Sequence, residues 1–182
     1  MLAEERRTIV LERERAHAQR ELADGGRARF LVDGMLVKLG RYLRCLGYDT
    51  TWDLGKPTLA LIRSADGDER VFLTRNGHVG LGLPAPRDFR ILASDDPVEQ
   101  LQEVVRAFRL DPKLHLFSRC VRCNVELEPL TAEDVERRGV PERVRTSYRR
   151  FYGCPRCAAT FWKGTHVRNT CRKLGLPDAS EG

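Results

Sequence analysis

From Arg29 onward, short apolar runs alternate with segments that repeat apolar residues every three or four positions. Arg29-Phe30-Leu31-Val32 reads as a buried strand ending at Asp33, and Leu36, Leu39, Leu43 and Leu46 follow at helical spacing, with Lys38, Arg41 and Arg44 on other faces. Gly47 is placed to close that helix. Tyr48-Asp49-Thr50-Thr51-Trp52 predicts a second strand, 57–65 a short helix with Pro57 in its first turn, Val71-Phe72-Leu73-Thr74 a third strand and Phe89-Arg90-Ile91-Leu92 a fourth. Asp96-Pro97 opens a helix with the apolar stripe Leu101, Val104, Val105 and Phe108. Strands alternating with helices imply an α/β domain with a mostly parallel sheet.

The flanks differ. Residues 1–24 have helical composition, with Leu2, Ile9, Ala16 and Ala23 recurring at seven, but the other seam position is polar. A solvated helix is therefore a simpler reading than a coiled coil, and Asp24-Gly25-Gly26 stops it. The pattern divides the chain into a helical extension over 1–28, an α/β domain over 29–112 and a cysteine-rich part over 113–182.

Charge changes the picture mainly in that last part. The formal net charge is +6, and 143–173 holds nine Arg or Lys and no acid. No apolar run approaches the roughly 20 residues needed to span a bilayer. The charged N-terminus has no signal-peptide core, so an intracellular location, by default the cytoplasm, is expected. Four of the six cysteines sit in two Cys-x-x-Cys pairs, Cys120/Cys123 and Cys154/Cys157. Each tight turn of this kind can present two thiolates to one tetrahedral zinc. The 30 residues between the pairs require an insertion, predicted helical over 131–138 and 141–150. A redox pair is the alternative, but it would not need a second copy. Four cysteines leave no open position on the metal, so the zinc is structural. Cys45 reads as a small core residue, Cys171 has no visible partner, and His166 could substitute as a ligand.

Arg143, Arg145, Arg149, Arg150, Arg156, Lys163, His166 and Arg168 lie among Tyr148, Phe151, Tyr152, Phe161 and Trp162. Cations neutralise phosphates and aromatic faces stack unpaired bases, which makes RNA a candidate partner. The same residues could equally be solvated charge over a small ribbon core, offsetting the thiolates. In the α/β domain, Asp33, Asp53, Asp95 and Asp96 fall at strand ends, where open α/β sheets collect their chemistry. Converging carboxylates there could hold Mg²⁺ or Mn²⁺. Taken singly, Asp96 can be a helix N-cap and Asp53 a turn residue.

FLVDGMLVKLGRYLRCLGYDT, FLTRN, ASDDPVEQLQEVVRAF, FSRCVRCNVELEPLT and CPRCAATFWKGTH, in that order, resemble the Mut-seven C-terminal RNase domain family. The resemblance runs from about Phe30 to His166. It implies a PIN-like three-layer α/β domain followed by a zinc ribbon. It also implies a divalent-metal site for RNA cleavage on Asp33 and the Asp95-Asp96 pair, with Asp53 a weaker candidate. Two positions depart from the family pattern. Thr74-Arg75-Asn76 stands where Thr-Arg-Asp is usual, and Ala158 stands where a glycine often follows the second knuckle. Asparagine offers a carbonyl oxygen but no charge and no base. A metal-dependent ribonuclease is thus the first expectation. A non-catalytic RNA- or ribonucleoprotein-binding module is the second, and a protein–protein adaptor the third.

Overall fold

Four strands form the sheet of the first domain: β1 (Arg29–Val32), β2 (Asp49–Thr51), β3 (Val71–Thr74) and β4 (Phe89–Ile91). The computed structural model describes residues 28–113, 115–173 and 175, without the side chains of residues 166, 167 and 170. The helical reading of 1–28 therefore falls, Ala28 apart, outside the described residues.

The strand order is β2-β1-β3-β4, and all three pairings are parallel. A 3₁₀ turn over Gly34–Leu36 leads into helix α1 (Val37–Cys45), and α2 (Thr58–Gly67) and α3 (Pro97–Ala107) complete the domain. The period of two in β1 builds three layers. Phe30 and Val32 pack with Leu36, Leu39, Leu43, Leu101, Val104 and Phe108, while Leu31 turns to the opposite face with Leu61, Ile62, Ala65 and Phe72. Helices α1 and α3 thus cover one face and α2 the other.

The predicted elements form with small shifts at their ends. Pro57 precedes α2 as its N-cap instead of opening its first turn. Gly47 ends α1 with φ +88, and a Cβ there would stand 2.3 Å from the His115 carbonyl oxygen. Only glycine tolerates both conditions.

The second part is a three-stranded antiparallel sheet of β5 (Glu128–Pro129), β6 (Phe151–Gly153) and β7 (Thr160–Trp162). The insertion carries α4 (Ala132–Arg137), started by a Thr131/Asp134 capping box, and α5 (Glu142–Ser147). Its small core joins Val135, Val140 and Phe151 to Tyr148 and Trp162. Helix α6 (Thr165–Lys173) follows.

Arg44, placed by periodicity away from the apolar stripe, is buried and joins the two parts. Its Nε donates to the Thr50 carbonyl (2.8 Å) and its Nη1 to the Val121 and Arg122 carbonyls (3.0 and 2.9 Å). The guanidinium carbon lies 3.7 Å from the centre of a Trp52 ring. Gly40, one turn earlier, makes room for that ring. Asn124 adds two bonds, donating from Nδ2 to Asp49 (2.6 Å) and accepting from the Thr50 N–H (3.0 Å).

Candidate functional site

The chain leaves β1 through α1 towards β2, and α2 brings it back to β3 on the other side of β1. The carboxyl ends of β1 and β3 thus flank a topological switch point, where open α/β sheets form their binding crevices. A cleft of about 410 Å³ opens there, lined by Asp33, Met35, Lys56, Thr58, Arg75 and Asn76 among others.

Asp33 is only 5% exposed. Its Oδ1 accepts the Met35 N–H at 3.0 Å, capping the 3₁₀ turn, and its Oδ2 accepts the Thr74 hydroxyl in a short contact. Thr74 Oγ1 in turn accepts the Asn76 N–H at 2.9 Å. Adjacent parallel strands thereby fix one carboxylate from both sides. Asp33 is therefore part of the packed interior and holds the turn after β1.

The other acids are engaged differently. Asp95 is 81% exposed at its side chain and pairs with Arg75, which links it to the cleft wall. Asp96 caps α3, accepting the Val98 and Glu99 N–H groups at 2.7 and 3.1 Å. Those backbone bonds, the one from Glu99 first, hold its carboxyl below the usual range. Asp53 accepts the Gly55 N–H at 2.9 Å and pairs with Lys56 at 3.5 Å. Asn76 accepts the His78 N–H at 3.0 Å through Oδ1. Among the described residues, the four cysteines are the group of three or more potential ligands drawn tightly together. Asp33 is the acid that lines the cleft, together with the cations Lys56 and Arg75. These cations carried no signal as site residues beyond the place of Arg75 in the FLTRN segment.

The ligand sulfurs of Cys120, Cys123, Cys154 and Cys157 lie within 4.8 Å of one another and could hold a zinc ion. The two knuckles repeat each other. The Cys123 and Cys157 N–H groups each donate to the first sulfur of their own pair at 3.4 Å, and Asn124 and Ala158 each follow with φ +62 and +55. The Ala159 N–H pulls the Cys157 thiol down to about 7, whereas hydrogen bonding with Cys157 pushes Cys123 up to about 12 and burial raises Cys120. Thiols this close ionise at each other's expense, and a dication removes that conflict. The donor set and its compactness fit tetrahedral zinc.

Cys171 is fully buried and Cys45 half-buried; burial and then the neighbouring Cys171 push the Cys45 thiol up to about 12. On the basic face, Arg143, Arg149, Arg150, Arg156 and Arg168 are exposed, Lys163 and Trp162 are half-buried, and Arg145 pairs with Glu136 at 3.3 Å. The His166 side chain lies outside the described residues.

A parallel sheet with a carboxylate at its switch point, hydrogen-bonded to a part that carries four clustered cysteines, defines a mixed α/β protein that could hold a zinc ion. The family can be stated more narrowly: the chain belongs to the Mut7-C RNAse domain family, whose model matches residues 28–174. That membership points to a ribonuclease-type function with RNA as substrate. No curated protein and no solved structure matches the chain. Among the described residues, no helix is long and apolar enough to cross a membrane.

Proposed function

We propose that the protein is a metal-dependent ribonuclease whose PIN-like domain cleaves RNA phosphodiesters at the Asp33 cleft while the basic ribbon holds the strand. The observation that carries the reading is Asp33 itself, a buried carboxylate fixed by Thr74 and Met35 at the mouth of a cleft with cationic walls. One carboxylate, one amide oxygen and the substrate's own phosphate make a sufficient starting set for Mg²⁺ or Mn²⁺, which keep several waters. Asp33 and Asn76 would hold the ion, joined by Asp95 once Arg75 turns to a phosphate; Asp96 and Asp53 stand in reserve at neighbouring strand ends. Such an ion would supply charge stabilisation and a more acidic water.

The chain's own groups supply the rest. Lys56 and Arg75 bind non-bridging phosphate oxygens and neutralise charge as it builds. Thr74 and the Met35 N–H hold Asp33 in one orientation beside the cleft. Arg143, Arg149, Arg150, Arg156 and Arg168 would hold the flanking phosphates, with His166 and Arg145 beside them.

A second reading, a non-catalytic RNA- or ribonucleoprotein-binding protein, is favoured by Asn76, which leaves the cleft with one carboxylate facing two cations. One experiment separates the two. Wild type, Asp33→Asn and Asn76→Asp are assayed on one labelled single-stranded RNA with Mn²⁺ or Mg²⁺ and without either. Asparagine at position 33 keeps an acceptor for Met35, and the Thr74 hydroxyl can reverse its role, so the variant is expected to fold. The enzyme reading expects slow wild-type cleavage, its loss in Asp33→Asn, and a gain of roughly tenfold in Asn76→Asp, because ligand charge sets metal affinity. An inert wild type with an active Asn76→Asp makes the native protein a binder. Cleavage by neither sinks the metal-site reading.

A further inference from the structure

A second recess, of about 620 Å³, shares no lining residue with the Asp33 cleft. It lies where the ribbon faces the end of α1 and the chain just before the first knuckle, with Cys45 and Phe117 in its wall. Tyr152 and Phe161 form another part of the wall as directly opposed partners on β6 and β7. Opposed residues on a sheet present their side chains to one face, so the two rings stand on the same side of the ribbon sheet. Tyr148 and Trp162, with ring centroids 6.5 Å apart, bound the recess further along.

Its charge is one-sided. Arg143 and Lys163 line it, neither has an acidic partner among the described residues, and no carboxylate lines it. A third cation, Arg119, is already committed to Glu126 and to the Gly47 and Asn124 carbonyls. The recess therefore offers an apolar aromatic interior and two available cations. A flat aromatic group tied to a phosphate matches both features, and the volume lies within the roughly 300–1,000 Å³ range of small-molecule sites. A base within a duplex is stacked on both faces and cannot enter.

We propose that this recess is a nucleobase pocket: it accepts one unpaired base of single-stranded RNA against Tyr152 and Phe161, while Arg143 and Lys163 hold the adjoining phosphate. The proposal rests on the reading of RNA as the ligand and adds to it a preference for single strands and a place where a base is gripped. Cations on an open surface would bind any polyanion alike; a pocket distinguishes a strand with bases from one without.

That distinction is the test. Labelled octauridylate, an octamer of the same backbone with abasic residues, and an eight-base-pair RNA duplex are titrated without added Mg²⁺ or Mn²⁺ against zinc-loaded full-length protein. The proposal expects octauridylate to bind at least roughly tenfold more tightly than the abasic strand or the duplex, since neither of these can stack a base on the aromatic wall. Tyr152→Leu with Phe161→Leu should bring octauridylate down to the abasic affinity and leave the abasic affinity unchanged. Arg143→Gln with Lys163→Gln should flatten the salt dependence by roughly 0.7 in log–log slope, the share of the one phosphate no longer neutralised. Equal binding of octauridylate and the abasic strand by wild type overturns the pocket while leaving RNA binding intact. That wild-type comparison decides the matter even if the leucine variant loses its zinc. No binding of any strand at low salt overturns the pocket and the RNA reading together.

Discussion

Replacing Arg44 with methionine keeps an unbranched, apolar side chain of similar length and removes the guanidinium. Three backbone carbonyls, those of Thr50, Val121 and Arg122, then lose their donor. At about 1 kcal/mol for each stranded acceptor, the loss is about 3 kcal/mol. The stacking over Trp52 adds about 1 kcal/mol. One effect runs the other way. Burial already drags the Arg44 pKa down to about 10, so deleting the cation returns part of a desolvation cost. The net expectation is a destabilisation of roughly 2 to 3 kcal/mol. Val121 and Arg122 stand between Cys120 and Cys123, so the damage should reach a zinc ion held by the four thiols. If about 1.4 kcal/mol of it falls on the knuckle, zinc should pass to a competing chelator with roughly tenfold weaker retention. Urea unfolding, the chelator competition and hydrogen exchange at the amides of 120–124 measure the three consequences. Unchanged stability with unchanged zinc retention would refute the claim that this one side chain pins the first knuckle to the α/β domain.

Two further substitutions probe the same junction and its counterpart. Ala158→Gly should stabilise the zinc-loaded protein by about 0.5–1 kcal/mol: φ +55 costs an L-residue about 1–2 kcal/mol, and glycine's greater unfolded-state freedom returns only part of that. Asn124→Gly should instead destabilise despite the like angle, since it deletes the bonds to Asp49 and Thr50; a thermal melt of each variant that gave the same sign for both would contradict this. At Asp49, burial raises the carboxyl pKa, but hydrogen bonds from Arg70 and Asn124 and the charges of Arg70 and Arg119 outweigh it, and the net shift is downward. A depressed folded-state pKa gives stability that is present above the unfolded value, about 3.9, and is lost as pH falls through the folded one. Asp49→Asn should therefore be less stable at pH 7 and show a shallower acid limb below about pH 4 in urea titrations; an acid limb identical to wild type would exclude the pair as its source.

The sheet and its helices were legible because their signal is periodic and local. Phe30 and Val32 against Leu31, or Leu36, Leu39 and Leu43 along α1, assign their faces before any contact is known. The knuckles were legible for a related reason, since Cys-x-x-Cys carries its geometry within four residues. What joins these pieces was not. Arg44 sits at a position that helical periodicity assigns to a polar face, and its partners Val121 and Arg122 lie 77 and 78 residues away. No local pattern encodes a carbonyl as a partner, because every residue has one. Asn124 was hidden likewise: at φ +62 it reads as a turn residue, and its link to Asp49 spans 75 positions.

The strand-end acids mark the boundary between these two situations. Strand-end placement identifies four carboxylates, Asp53 the weaker candidate among them, and their hydrogen bonds separate them further. Asp96 uses its oxygens on the first turn of α3, Asp53 on its own turn and Lys56, and Asp95 on Arg75, whereas Asp33 is held by the neighbouring strand through Thr74 and opens on the cleft. The Thr74-Arg75-Asn76 segment then acquires a physical meaning beyond its resemblance to a family motif. Thr74 orients the carboxylate, Arg75 lines the cleft as a cation that Asp95 holds, and Asn76 brings an uncharged amide to the same cleft. With asparagine there, Asp33 is the one carboxylate among the cleft's lining residues, while its cations Lys56 and Arg75 are already paired with Asp53 and Asp95. Asn76 therefore weakens the proposed metal site, and Asn76→Asp is the substitution that measures by how much.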